Sequence, residues 1–330
     1  MKTNSVISIP WLMTACAVLL LCGSTSLAQT IVVRYVDASA ATSGDGTSWS
    51  TAYDNLQTAL ANANPGEDEI YQLWVKAGTY KPTSGTDRSI SFGMKTDVEI
   101  YGGFDGTEET LEERDWQAVE NATILSGDLN VDDEPNFINR TDNSYHVVRA
   151  EGVDSTARLD GFTITGGYAD TSASGRRGAG LYIVEKDNPH PVPDDPSSPR
   201  VFNCKFVGNV ARSATGAIGV GGAVYSSPSS TTNTLVFTNC AFLDNQTALS
   251  GGAVYLANMN AASFSSCEFI GNSTTRLPTS GAGTHGGGGL YVSGNSSQVV
   301  TLIDSVFRHN STSAGEECGR ESFTDAGGGV

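Results

Sequence analysis

One phrase recurs four times in the second half of this 330-residue chain: a glycine run closes on an aromatic, and an apolar segment ending in Asn follows. Gly178-Ala-Gly-Leu-Tyr182 leads to Asn203-Cys-Lys-Phe-Val-Gly-Asn209, and Gly221-Gly-Ala-Val-Tyr225 to Asn239-Cys-Ala-Phe-Leu-Asp-Asn245. Gly251-Gly-Ala-Val-Tyr255 leads to Ser266-Cys-Glu-Phe-Ile-Gly-Asn272, and Gly287-Gly-Gly-Leu-Tyr291 to Asp304-Ser-Val-Phe-Arg-His-Asn310. A recurring unit of this size marks a solenoid, because one copy cannot bury its own apolar face and must stack on the next.

The copies align on a small residue: Cys204, Cys240, Cys267 and Ser305. Three positions earlier stand Val201, Phe237, Phe264 and Leu302, and two positions later Phe206, Phe242, Phe269 and Phe307. The residue between small and Phe varies freely, as Lys205, Ala241, Glu268 and Val306. In–out–in alternation is a strand, and the flanking Gly, Asn and Ser read as turns. The small residues are spaced by 36, 27 and 38 positions, with the excess mostly between the Asn and the next glycine run. One turn therefore accepts insertions while the strands hold register, as in a parallel β-helix whose coils stack about 4.8 Å apart. The expected fold class is all-β, a right-handed parallel β-helix, the hand following the rule for parallel crossovers. Each coil should hold three short strands. A Phe ladder fills the core, and an Asn ladder occupies a bend, in αL backbone and bonded up and down the stack. A propeller blade needs more than the shortest copy supplies, and the Leu spacing of a leucine-rich horseshoe is absent.

Residues 1–28 read as a signal peptide outside the fold: Lys2, an apolar run from Trp11 to Cys22, then Ser26-Leu27-Ala28 before a cleavage point. The run is short for a membrane span, and Leu21 stands where a lipoprotein would place a small residue before Cys22. The expected location is extracellular or on an outer, bacterial cell surface, with no integral span in the mature chain. With 36 acidic against 19 basic residues, net −17, nucleic acid is excluded as a partner. Cys204, Cys240 and Cys267 share one ladder position, where their parallel Cβ vectors disfavour a disulfide, so they read as small buried hydrophobes. Cys318 lies in an acidic segment and reads as free or lacking its partner.

Residues 29–330 read as one domain. Residues 29–66 hold an N-terminal strand and a capping helix, 67–177 irregular early coils, and 178–330 the regular repeats. Trp49, Tyr53, Leu56, Leu60 and Ala63 share one helical face over 49–63, with Ser48 or Ser50 as N-cap and Pro65-Gly66 as the stop. Such a helix would plug the open first coil; a partner-binding helix is the alternative. Strand-like pieces follow at Leu73–Ala77, Val98–Tyr101, Ala122–Leu125, His146–Arg149 and Leu159–Ile164, and Asp187–Pro199, with five prolines, reads as an inserted loop. Asp325-Ala-Gly-Gly-Gly-Val330 begins another glycine run, so the chain reads as a C-terminally truncated fragment.

Several motifs carry a resemblance: Tyr35-Val-Asp, Gly46-Thr-Ser-Trp49, Leu56-Gln-Thr-Ala-Leu60, Val75-Lys-Ala-Gly-Thr-Tyr80, Tyr101-Gly-Gly-Phe104, Ser126-Gly-Asp128 and Leu159-Asp-Gly-Phe-Thr-Ile-Thr-Gly-Gly167. In this order they resemble bacterial secreted right-handed β-helix repeat proteins of pectin-lyase-like fold, similar to the passenger regions of polymorphic outer-membrane proteins. The resemblance spans residues 33–330 and implies fold and surface location, not one activity.

Chemistry is sparsely signalled. Hydrolysis of a glycan needs paired carboxylates roughly 5–10 Å apart. No repeated pair occurs: Asp160 and Asp170 stand apart, and Asp244 and Asp304 are not equivalent. The motif set of the polygalacturonases is absent; Gly283-Thr-His-Gly286 echoes one part of it, and His285 falls in an inserted loop. His146, His190 and His309 lack metal-ligand spacing. Asp128, Asn130 and Asp132 place three oxygen ligands as at the start of a calcium loop, although Asp133 replaces the usual glycine. Of six Asn-x-Ser/Thr sequons, at Asn121, Asn139, Asn245, Asn272, Asn295 and Asn310, three are internal ladder positions, so no glycosylation is expected. No cofactor is certain and calcium is the candidate. The expectation is an adhesin-like binding module for glycan or a surface partner. The alternatives are a polysaccharide lyase or glycoside hydrolase and a structural stalk.

Overall fold

The computed structural model describes residues 29–171, 176–186, 197–212, 219–228, 233–258, 261–275, 286–294 and 298–312. Residues 1–28, read above as a signal peptide, His190, His285, Asn295, Cys318, the last glycine run and most of the proline-rich loop lie outside the described residues.

The described residues are mostly β, and their strands run parallel in four sheets. One coil shows the path. Arg200–Phe202 lies in sheet A, Lys205–Val207 in sheet B, Val210–Ala211 in sheet C and Val224–Ser226 in sheet D; Thr234–Thr238 then rejoins sheet A. Among the described residues sheet A has eight strands, B seven, C four and D six. This is a parallel β-solenoid with a short fourth strand added to the expected three. Sheet C is two residues wide, as at Val210–Ala211, which pairs with Tyr168–Ala169 and Gln246–Thr247.

The register is the one expected. Val201, Phe237, Phe264 and Leu302 are paired in succession, as are Phe206, Phe242, Phe269 and Phe307. Phe206–Phe242, Phe242–Phe269 and Phe269–Phe307 stack at 5.2, 4.6 and 4.4 Å between centroids, and Phe237–Phe264 at 5.0 Å. Cys204, Cys240 and Cys267 are buried free thiols beside these rings.

The Asn ladder is continuous. The Nδ2 of Asn209, Asn245 and Asn272 donates to the Oδ1 of the next Asn at 3.1, 3.0 and 2.9 Å. The same Nδ2 groups also donate to Ile164, Phe206 and Phe242 carbonyls of the preceding coil. The αL backbone falls one position before each ladder Asn, at Gly208, Asp244, Gly271 and His309 (φ 60, 51, 68 and 54°). Asn203, Asn239, Ser266 and Asp304 make a second αL corner between sheets A and B. The left-handed residue turns the chain, and the Asn after it points inward to bind the stack.

The amphipathic stretch over 49–63 is not one helix. A 3₁₀ turn spans Trp49–Thr51, capped by Ser48, and an α-helix spans Leu56–Asn62, capped by Asn55 Oδ1, which accepts the Gln57 and Thr58 N–H groups at 2.7 and 3.4 Å. Tyr53 breaks the helix because its backbone bonds to Tyr35 and Asp37 beside the first strand, Thr30–Val36. The helix ends before Pro65-Gly66, where Lys95 Nζ donates to the Leu60 and Ala63 carbonyls. Leu56, Ala59 and Leu60 enter the main core, whereas Trp49 packs outside sheet A against Tyr35 and Phe104.

All five strand-like pieces of the first half overlap strands of these sheets. Leu159–Ile164 is two strands, Arg158–Asp160 in sheet A and Phe162–Thr165 in sheet B, divided by Gly161 at φ 83°.

Candidate functional site

The corner between sheets A and B carries a groove of about 320 Å³, running across neighbouring coils. Its sides present Asn203, Asn239 and Ser266, the αL corner residues, and its floor carries Lys205, Ala241 and Glu268, which are register partners in successive strands. A second depression of about 130 Å³ shares Trp116, Gln117, Asn203 and Lys205 and continues toward Thr123 and Gly161.

Trp116 forms the wall. It sits on the loop that follows Tyr101-Gly-Gly-Phe104, and local bonding fixes that loop. Glu108, nearly buried, accepts the N–H groups of Asp105, Gly106 and Thr107 at 2.7, 3.0 and 3.0 Å. Arg114 donates to Gly102 O (3.0 Å) and to Asp160 Oδ1 (2.9 Å). Trp116 then rests on Gly103, which has φ 91°, and a Cβ there would meet Trp116 Cα at 2.5 Å. Only glycine serves that position. The Trp116 ring is partly exposed and makes no aromatic or hydrogen-bond contact among the described residues.

Asp160 anchors the corner. It is fully buried and accepts from Arg114, from Arg158 Nη2 (2.5 Å) and from Asn203 Nδ2 (2.8 Å). Asn203 Oδ1 in turn accepts from Asn239 Nδ2 at 2.8 Å. A buried carboxylate survives only with such partners, and here they also fix the amides at the groove. Asp170 is likewise ion-paired, to Arg88 at 2.8 Å. Among the groove's lining residues Glu268 is the sole carboxylate.

The calcium candidates lie apart from this groove. Asp128 and Asp132 come together with Asp142, with one carboxylate oxygen from each within 4.8 Å of the others. Asn130 contributes its backbone N–H, which donates to Asp142 Oδ2 at 3.2 Å. Asp142 carried no local signal because it follows Asp132 across an irregular turn. Burial and the charges of Asp142 and Asp128 raise the Asp132 pKa. Burial also pushes the neighbouring Asp133 up to about 6, against its bonds from Asn143 and the charge of Arg140. Oxygen-only ligands under mutual repulsion suit a hard cation such as calcium.

The remaining reactive groups are structural in setting. Burial pushes the Cys204 thiol up to about 12. His146 is stacked on Tyr182 at 4.5 Å, and burial lowers it to about 4 despite the Gly178 carbonyl near Nδ1. Of the described sequons, Asn121 and the three ladder positions are buried, and Asn139 is exposed with its amide bonded to Asp132 O. No helix among the described residues is long and apolar enough to cross a membrane.

Compared with protein-family models, curated proteins and solved structures, the chain matches none.

Proposed function

We propose that this chain is a secreted or surface-displayed right-handed β-helix of pectin-lyase-like kind that binds glycan along the corner groove. The observation that carries this reading is Trp116, an indole without a partner among the described residues, set beside the corner amides of Asn203 and Asn239. A sugar offers an apolar ring face to an aromatic platform and hydroxyls to fixed amides, so both halves of the groove have a use. A single groove carboxylate supports binding over hydrolysis, which needs a pair. Secretion and kinship rest on the leader and the order of the sequence motifs. The short helix acts as the N-terminal plug, a role supported by the burial of Leu56, Ala59 and Leu60 against the first coils. Calcium at Asp128, Asp132 and Asp142 orders the surrounding loop.

A lyase or hydrolase is the second reading, favoured by Lys205 and Glu268 on the groove floor on either side of Ala241. The test is retention of the chain and of Trp116→Ala on a panel of plant, algal and bacterial polysaccharides, with assays for reducing ends and unsaturated products. Retention that is lost in the variant, without product, supports binding. Product on any polymer selects the enzyme. Neither retention nor product leaves a structural stalk.

A further inference from the structure

A second groove, on the outer face of sheet A, ends on Arg200, an arginine without an ion-pair partner among the described residues. Gln72, Glu99, Arg158 and Arg200 occupy one outward row in four successive strands. Three of the four are committed. Gln72 Nε2 donates to Glu99 Oε2 at 2.9 Å, and Tyr101 OH donates to the same oxygen at 2.8 Å. Arg158 is held by Asp160 and lies over the Phe202 ring at 4.1 Å. Arg200 makes no ion pair among the described residues, and its Nε is buried with no hydrogen-bond partner. Leaving a buried charged donor unsatisfied is costly, and a planar guanidinium is built for two-point binding of a carboxylate.

The groove measures about 260 Å³ and runs from Arg200 past Glu99 to Ile70 and Ile31. Ile31 lies on the first strand of the sheet and is 58% exposed. From Arg200 to Ile31 is four strand spacings, roughly 19 Å at about 4.8 Å each. One end is therefore cationic and the other apolar.

We propose that this groove binds a monocarboxylate with an apolar body, its carboxylate on Arg200 and its body along Ile70 and Ile31. A fatty acid and the free C-terminus of an apolar peptide share this chemistry. The inference is independent of the corner groove and of glycan.

The test is calorimetric titration of the full chain with decanoate below its micelle concentration, acetate, decyltrimethylammonium, and an acetylated tri-leucine peptide as free acid and as amide. Arg200→Gln and Ile31→Glu are compared with the parent, their folding checked by circular dichroism and melting. Ile31 is on an exposed edge, so its variant keeps the test valid if Arg200→Gln misfolds. Expected is saturable binding of decanoate, or of the peptide acid, at least tenfold tighter than acetate and weakened at least tenfold in either folded variant. The tighter of the two probes identifies the source. Binding of the cationic detergent or the peptide amide as tight as that of the acids would overturn the proposal. So would unchanged affinity in a folded variant, or no binding of either acid.

Discussion

Asn245 uses every hydrogen-bonding position of its amide. Nδ2 donates to Phe206 O and to Asn272 Oδ1, while its own Oδ1 accepts the backbone N–H and the Nδ2 of Asn209. Asn245→Ala strands buried groups on both neighbouring coils, so a loss of at least about 2 kcal/mol is expected in chemical denaturation. An unchanged midpoint would mean that the ladder contributes no stability. His146 permits a test by pH. Its folded pKa is depressed to about 4 from an ordinary 6.5, so between those values the unfolded chain binds a proton that the folded chain refuses. The resulting stability is fully present above about 6.5 and is lost as pH falls toward 4, a difference of roughly 3 kcal/mol. His146→Gln should flatten that part of the stability–pH curve relative to the parent; parallel curves would contradict the assignment.

At the scale of the element, each coil is shaped by stacked rings inside and left-handed residues at its corners. Phe242 stacks between Phe206 and Phe269 and is fully buried, so Phe242→Ala should cost about 3–5 kcal/mol. Phe307, at the partly exposed end of the same ladder, should cost less, and equal losses would argue against the register. Gly251 opens its glycine run at φ 66°, and a Cβ there would meet Val254 O at 2.3 Å. Gly251→Ala should therefore destabilise by more than about 1 kcal/mol in a thermal melt. The strands and their inward positions were legible because alternation and repetition write them into the sequence several times over. The helix was legible only in part: the apolar spacing from Trp49 to Ala63 is helical, but Trp49 and Tyr53 face partners outside the helix, and tertiary contact overrides periodicity there. The αL position was displaced by one because Asn suits both the corner and the inward amide, and only the fold separates the two roles.

At the scale of the whole molecule, the coils bring together residues that the chain keeps far apart. The corner groove joins Trp116 to Asn203, Asn239 and Glu268, and no local pattern announces a single Trp in a loop. Asp142 joins Asp128 and Asp132 in the same way. If these three carboxylates hold calcium, a concentration 100-fold above Kd should stabilise the fold by about 2.7 kcal/mol, and Asp142→Asn should remove the gain. No calcium-dependent change in melting temperature would dismiss the site. Glycan binding along the groove is tested most directly by intrinsic fluorescence. Trp49 and Trp74 lie in the aromatic cluster outside sheet A, so Trp116 is the groove's own reporter. Oligosaccharides of a retained polymer should produce a saturable spectral shift that vanishes in Trp116→Phe, with no product released. A shift that persists in the variant, or turnover of the ligand, would contradict a binding groove built around this residue.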